Sequence, residues 1–409
     1  MSAAPERGRA EALAPLRTRP FAVLWGAAVC GQVAVFMRDL ANVWFASELS
    51  GSPAAVALVQ AAATLPVFLL AIPAGALADT LDRRRLLLLM QGLLAVVAAL
   101  LLMLAASARL SLQALLVLSL LGGVGAALAG PAWMAVVPEL VDATRLRGAM
   151  ALNALGADIA RAIGPAGGGL LLASADASAA YALHLLMSLV PLAALTGLRR
   201  APSPPDPPAE PFLGALRAGL RYSRASRELH RVLWRAAAFF GSASAALVLL
   251  PWVARRLQPD AAGLYGALLG ATGLGAIAGA LLLPRWRPEV LLHAATAAAL
   301  AALLGLAGLQ SLVALLMLMA LLGVAWSTAF TTLMGVARAL FPAWVRGRGL
   351  AVYVTAFNGA MTLGSLAWGA LAQGLGVPRA LLLAAAALGG GMLWAARHPL
   401  PVDERGAAT

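Results

Sequence analysis

The chain has 409 residues and no lysine: all thirty of its basic residues are arginine. It has one cysteine and four histidines, and only 11% of its residues are charged. Each shortage excludes something. A soluble domain of this size carries roughly a quarter charged residues, so an ordinary water-facing surface is excluded. Cys30 is alone inside an apolar run, which leaves no disulfide framework and no cysteine metal site. His184, His230, His293 and His398 are scattered. No His/Cys/Asp cluster has metal-ligand or nucleophile spacing, so neither a metal centre nor an enzyme active site is expected. No nucleotide-binding P-loop occurs, which argues against ATP as an energy source, and no cofactor is expected.

What is present in quantity is apolar surface. The chain is 62% hydrophobic, in recurring runs of about 20 residues, the length that crosses a bilayer as a helix. Helices satisfy their own backbone hydrogen bonds, which lipid cannot do. Twelve spans are expected, near 21–46, 54–77, 86–106, 111–133, 149–173, 177–197, 232–254, 263–284, 289–309, 311–336, 349–373 and 377–396. The net charge of +13 sits mostly in short loops, so it reads as topology and anionic-lipid contact, with no nucleic-acid partner. With both termini in the cytoplasm, only Arg109, Arg255, Arg256 and Arg379 face outward. Arg38 and Arg161 fall within spans, and the other twenty-four face inward. The N-terminal stretch is too polar for a cleavable signal, so the first span serves for insertion into a bacterial inner membrane.

Residues 75–85, GALADTLDRRR, pack two carboxylates and three guanidiniums between two apolar spans. Gly75, Asp79, Arg83 and Arg84 match the signature loop between helices 2 and 3 of the major facilitator superfamily of transporters, which the chain resembles. Thr80 and Asp82 depart from that pattern. A repeat at about half the chain length points the same way. Arg145, Arg147 and Gly148 precede span 5, and Arg346, Arg348 and Gly349 precede span 11. Gly75-Ala-Leu is echoed by Gly279-Ala-Leu. The resemblance implies an all-α membrane protein of twelve transmembrane helices in two six-helix pseudo-symmetric halves, 1–198 and 232–409. A cytoplasmic linker, 199–231, joins them. It holds the Pro-rich stretch 201–211, and a basic amphipathic helix expected over 212–235 begins in it. The resemblance also implies alternating access, gated at the cytoplasmic side by Asp79 of the loop against Arg346 and Arg348.

Span 5 carries Gly164, Pro165, Gly168 and Gly169, which resemble the superfamily's exporter motif GxxxGPxxGG with Ala160 replacing the first glycine. Small residues there also suit close helix packing, in importer or exporter alike. Two ionisable pairs are singled out within spans: Asp158 with Arg161, one helical turn apart, and Arg38 with Asp39, which as sequence neighbours point about 100° apart and need not pair. An ionised group at that depth costs roughly 2.5–3.5 kcal/mol on insertion scales, so each should face a cavity or a partner. These are the candidates for proton coupling, Asp158 first and Asp39 second, the alternative being ion pairs that only fix packing. Gln60, Thr64, Asn153, Thr331, Asn358 and Thr362 are candidate polar lining, and Phe239, Phe240, Trp326 and Tyr353 candidate apolar lining. Interhelical hydrogen bonding and packing are the competing roles.

The loop Leu49-Ser-Gly-Ser-Pro53, Leu65-Pro66 and Gly130-Pro-Ala-Trp133 are similar to the transmembrane secretion effector branch, which includes enterobactin-exporter-like proteins. The arginine that many drug/proton antiporters carry in span 4 is replaced near Ser119. The expected function is proton-coupled export of a small amphipathic substrate, a siderophore or drug, by a monomer. A facilitated-diffusion carrier of a lipid or metabolite, and a receptor that binds without transport, are the alternatives.

Overall fold

The computed structural model describes residues 13–174, 177–197, 226–258, 261–282, 287–341 and 346–400. Among these, every regular element is helical. After a 3-10 turn come α1 (Arg19–Ser50), α2 (Pro53–Thr80), α3 (Arg83–Ala106), α4 (Leu112–Leu140), α5 (Leu146–Ser174) and α6 (Ala177–Gly197). The second set is α7 (Arg227–Val248), α8 (Ala262–Leu282), α9 (Pro288–Gly308), α10 (Leu312–Leu340), α11 (Arg346–Leu375) and α12 (Val377–Arg397). A short helix, Leu250–Leu257, extends α7 after a break at Leu249, where Pro251 removes a backbone donor. The Pro-rich stretch 201–211 and residues 212–225 of the expected amphipathic helix lie outside the described residues; the remainder of that helix is the beginning of α7.

Among the described residues eleven helices are long and apolar enough to cross a membrane. The helix that is not is α5, interrupted by Asn153, Asp158 and Arg161. Several helices run further than expected. α4 continues through Pro131 and Pro138 to Leu140, past the expected end at 133, because packed membrane helices tolerate internal proline. Local signals set the ends. Ser52, Asp82, Ser111, Ser226 and Ser311 each accept a hydrogen bond from the backbone N–H three residues on. Gly51 closes α1 at φ 59°, a left-handed conformation that glycine adopts without strain. Ser111 and Ser311 begin the fourth helix of each set, so the sequence repeat is also a repeat of capping.

The packing repeats too. α1 lies on α5, α2 on α4, α3 on α4 and α6; six helices later α7 lies on α11, α8 on α10, and α9 on α10 and α12. Two seams join the halves, α2 against α11 and α5 against α8. In the α5–α8 seam Gly169 meets Gly266 so closely that a Cβ on either would stand 2.5 Å from the other's Cα. Only glycine fits there. Leu89, Leu170, Leu281, Met317 and Leu393 point outward, the surface a lipid solvent requires.

Candidate functional site

A cavity of about 280 Å³ lies between the halves near the middle of the helices. Its two walls differ. The first half contributes Asp39 and Asn42 from α1, Gln60 and Thr64 from α2, Ser119 from α4 and Arg161 from α5. The second half contributes Tyr265 and Thr272 from α8, Trp326 from α10, and Phe357 and Met361 from α11. Both charged residues of the lining are on the first wall. Behind the second wall, fully buried Phe240 meets Trp326 and Phe357 edge-on, with ring centroids 5.0 and 4.6 Å away. Edge-to-face contacts of this kind fix ring orientation.

Arg38 and Asp39 form an ion pair, a contact that their positions on the helix permit without requiring. The Arg38 side chain is long enough to curl back: Nε and Nη2 both donate to Oδ1 of Asp39, at 3.0 and 2.7 Å. The pair is asymmetric. Arg38 is buried, whereas the Asp39 carboxylate is 39% exposed toward the cavity. Around it, Asn42 donates to Ser119 Oγ at 3.0 Å and the Tyr181 hydroxyl donates to Asn42 Oδ1 at 2.8 Å. Arg161 has its guanidinium 5.8 Å from the centre of the Phe36 ring, a cation–π contact. Asp158 is not in the lining and makes no ion pair with Arg161 within 4.0 Å, although the two remain in electrostatic reach. Among the described residues the cavity therefore presents one neutralised pair and one cation without a close counter-ion.

The remaining expected residues divide. Gln60, Thr64 and Trp326 line the cavity. Thr64 also crosses to the other half, its hydroxyl 2.8 Å from that of Thr362. Asn153, Phe239, Thr331, Tyr353 and Asn358 are not in the lining. Phe239 and Tyr353 are buried within the second half. Thr331 and Asn358 donate to the carbonyls of Ser327 and Val354 on their own helices. Asn42, Ser119, Tyr265, Thr272 and Phe357 belong to the cavity and were not among the sequence candidates; no signal shorter than the rotation of each helix could have selected them. Gly164 and Gly168 of the motif pack against Phe36 and Met37 of α1, and Pro165 reaches the cavity wall. The motif thus lodges α5 between α1 and α8.

At the α1–α2 end the halves are joined. Arg255 donates to the Ser47 carbonyl at 3.2 Å and lies 4.5 Å over the Trp44 ring, Trp44 stacks on Tyr265, and Ser52 donates to Gln373 at 2.7 Å. At the opposite end Arg83 pairs with Glu139 at 2.6 Å, and Arg84 donates to the carbonyls of Leu195 and Thr196 at the close of α6. The side chains of Asp79, Arg346 and Arg348 and the surroundings of Gly75 lie outside the described residues. A further cavity of about 310 Å³ runs inside the first half, lined by small residues such as Ala27, Gly31, Ala129 and Gly130. Its counterpart in the second half, beside Arg235 and His293, is about 30 Å³.

Twelve helices in two repeated sets around a central cavity define a membrane transporter of the major facilitator type. Solved structures agree at the level of fold. A bacterial homolog of the human lysosomal transporter Spinster, inward-facing and occupied, superposes with a TM-score of 0.69 at 15% identity, covering 94% of this chain and 98% of that one. A POT family transporter in complex with a thioalcohol-conjugated peptide gives 0.73 at 12%, covering 93% and 96%. The E. coli fucose:proton symporter gives 0.60 at 19%, covering 93% and 98%. Among curated proteins no sequence match was found. The transmembrane secretion effector family matches residues 10–408, and the chain belongs to that family.

Proposed function

We propose that the protein exports a small amphipathic molecule, of siderophore or drug type, in exchange for protons. The observation that carries this is the two-sided cavity. A polar or anionic group is suited to Arg161, Gln60 and Thr64, and an aromatic or apolar body to Trp326, Phe357 and Met361. Asp39 is the coupling carboxylate in this reading. It stands in the cavity, where substrate and proton can compete for it, whereas Asp158 is not part of the lining. The membrane is the bacterial inner membrane, with both termini cytoplasmic on the strength of the arginine asymmetry. Residues 1–198 and 232–409 rock as a monomer about the central site, joined by 199–231, with anionic lipid beside the basic residues. In that orientation the joined α1–α2 end is the outer gate. The inner gate pairs Asp79 with the positive start of α11 at Arg346 and Arg348. Arg83 and Arg84 hold the loop to its own half through Glu139 and the end of α6.

The test is flux in proteoliposomes with a panel of fluorescent aromatic carboxylates and catechol conjugates. A substrate of this kind should accumulate under an imposed pH gradient. Asp39→Asn should lose at least tenfold of that driven transport while counterflow exchange persists, and Asp158→Asn should keep driven transport within about threefold. Binding without any flux would replace this reading with that of a receptor.

A further inference from the structure

We propose that Arg38 is a two-position switch whose second position is the imidazole of His184, which makes His184 a positioning residue for the protonation of Asp39. This rests on the reading of Asp39 as the coupling carboxylate. α1 and α6 pack side by side and run in opposite directions. One rung between them is closed by the hydrogen bond from Tyr181 to Asn42. One turn further from the α1–α2 end, Arg38 on α1 and His184 on α6 occupy the next rung, and it is open. Nη1 of Arg38 is buried and makes no hydrogen bond. It occupies the place where Gly122 of α4 has no side chain, and a Cβ there would collide with it. His184 is 1% exposed, and neither ring nitrogen makes a hydrogen bond within normal limits. The Ala34 backbone of α1 is placed to take one ring N–H, and the Arg38 charge is near enough to act on the ring. The other ring nitrogen of a neutral imidazole is then an acceptor with no donor. A spare donor and a spare acceptor thus lie on facing turns of α1 and α6, within electrostatic reach and away from solvent, where unmet polar groups are costly.

The arrangement answers a problem that proton coupling creates. When Asp39 takes a proton it ceases to be a counter-ion, and a guanidinium does not give up its own charge. Arg38 would then be left charged and unpaired within the membrane. Neutral His184 supplies the alternative. As the proton arrives on Asp39, Nη1 of Arg38 moves onto the free imidazole nitrogen, and the bonds to Oδ1 of Asp39 are released. The proton stays on the carboxyl group, and His184 gains a hydrogen bond and no proton. The titratable or charged groups facing this exchange are few: Tyr181 on α6, Arg161 on α5 and Tyr265 on α8. α4 offers only Ser119 and Gly122. None of them can replace His184 as an acceptor for Arg38: Arg161 has no acceptor, Tyr181 is spent on Asn42, and Tyr265 stands across the cavity.

The test compares His184→Phe, which fills the site without an acceptor, with His184→Gln, which restores one. Driven transport in proteoliposomes is measured against pH, with counterflow exchange as the normaliser for folded protein. Without a second position Arg38 stays on Asp39 and opposes its protonation. The midpoint of the pH profile should therefore fall by about one to two units in His184→Phe, the displacement that loss of one charged hydrogen bond corresponds to. His184→Gln should return it to within about half a unit. A midpoint unmoved in His184→Phe overturns the switch. Nitrogen NMR of histidine-labelled wild-type protein tests the same point where the Phe variant does not fold. The acceptor nitrogen of His184 should take up a hydrogen-bond shift on acidification and hold it at every pH in Asp39→Asn. A His184 signal indifferent to both also overturns the proposal. Loss of the Asp39 reading looks different: driven transport would survive Asp39→Asn, whatever the His184 variants do.

Discussion

The two halves repeat one packing plan and fill it differently. The first half puts ionisable groups into the middle of the membrane: Arg38, Asp39 and Arg161 stand at or behind the cavity wall, beside the hydrogen-bonded trio Asn42, Ser119 and Tyr181. The second half has its main ion pair at one end. Arg235 donates to Glu289 at 2.8 Å and to the carbonyls of Ala395 and His398, while Glu289 accepts the backbone N–H of Leu400. Its middle is aromatic, with Phe240 at the centre of Trp326, Phe330 and Phe357. One half lines the cavity with charge, and the other lines it mainly with aromatic and apolar side chains and ties its ion pair off at one end.

That division can be broken from either side. The largest effect is expected at Arg235. Removing it strands Glu289 and two carbonyls, and breaking a buried pair typically costs about 3–5 kcal/mol. Arg235→Ala should lower the thermal unfolding midpoint in detergent far more than Asp39→Asn does. Arg235→Met with Glu289→Leu should recover much of the loss. If Asp39→Asn proved the more destabilising, the first half would be the scaffold and the comparison would invert. A middle effect is expected at Trp326. Trp326→Ala removes the large face of the aromatic wall and should weaken binding of a fluorescent aromatic carboxylate about tenfold, roughly 1.4 kcal/mol. Its pH profile should not move, because no charge is touched. The smallest effect belongs to the seam between the halves. Thr64→Val deletes one interhelical hydrogen bond, worth about 0.6 kcal/mol in a membrane protein. It should shift the unfolding midpoint by no more than a degree or two while altering the ratio of the two open states, read by cysteine accessibility.

The frame was legible in the sequence because its causes are local and repetitive. Apolar runs of bilayer length and arginine-bearing turns at a fixed offset need no tertiary knowledge. The site was legible only in part. Gln60, Thr64 and Trp326 were identified by residue type and depth, and all three reach the cavity. Tyr353 and Asn358 stand about 40° and 100° around α11 from Phe357, and of the three only Phe357, which residue type alone did not select, is in the lining. The Arg38–Asp39 pair was left open by Cβ directions, which do not record how far a guanidinium can reach. His184 looks like one more residue in an apolar run; only the burial of both its ring nitrogens beside Arg38 sets it apart.

Where Gly169 meets Gly266, two backbones touch with no side chain between them. A contact of that kind has no teeth. One helix can roll across the other without changing a rotamer or opening a void, so the seam resists separation and tolerates rotation. The other seam is built the opposite way. Phe68 of α2 fills the hollow over Gly359 of α11, and the Thr64 and Thr362 hydroxyls clasp beside it, so moving there means unseating a ring and parting a hydrogen bond. The halves are thus joined along one side by a bearing and along the other by a catch.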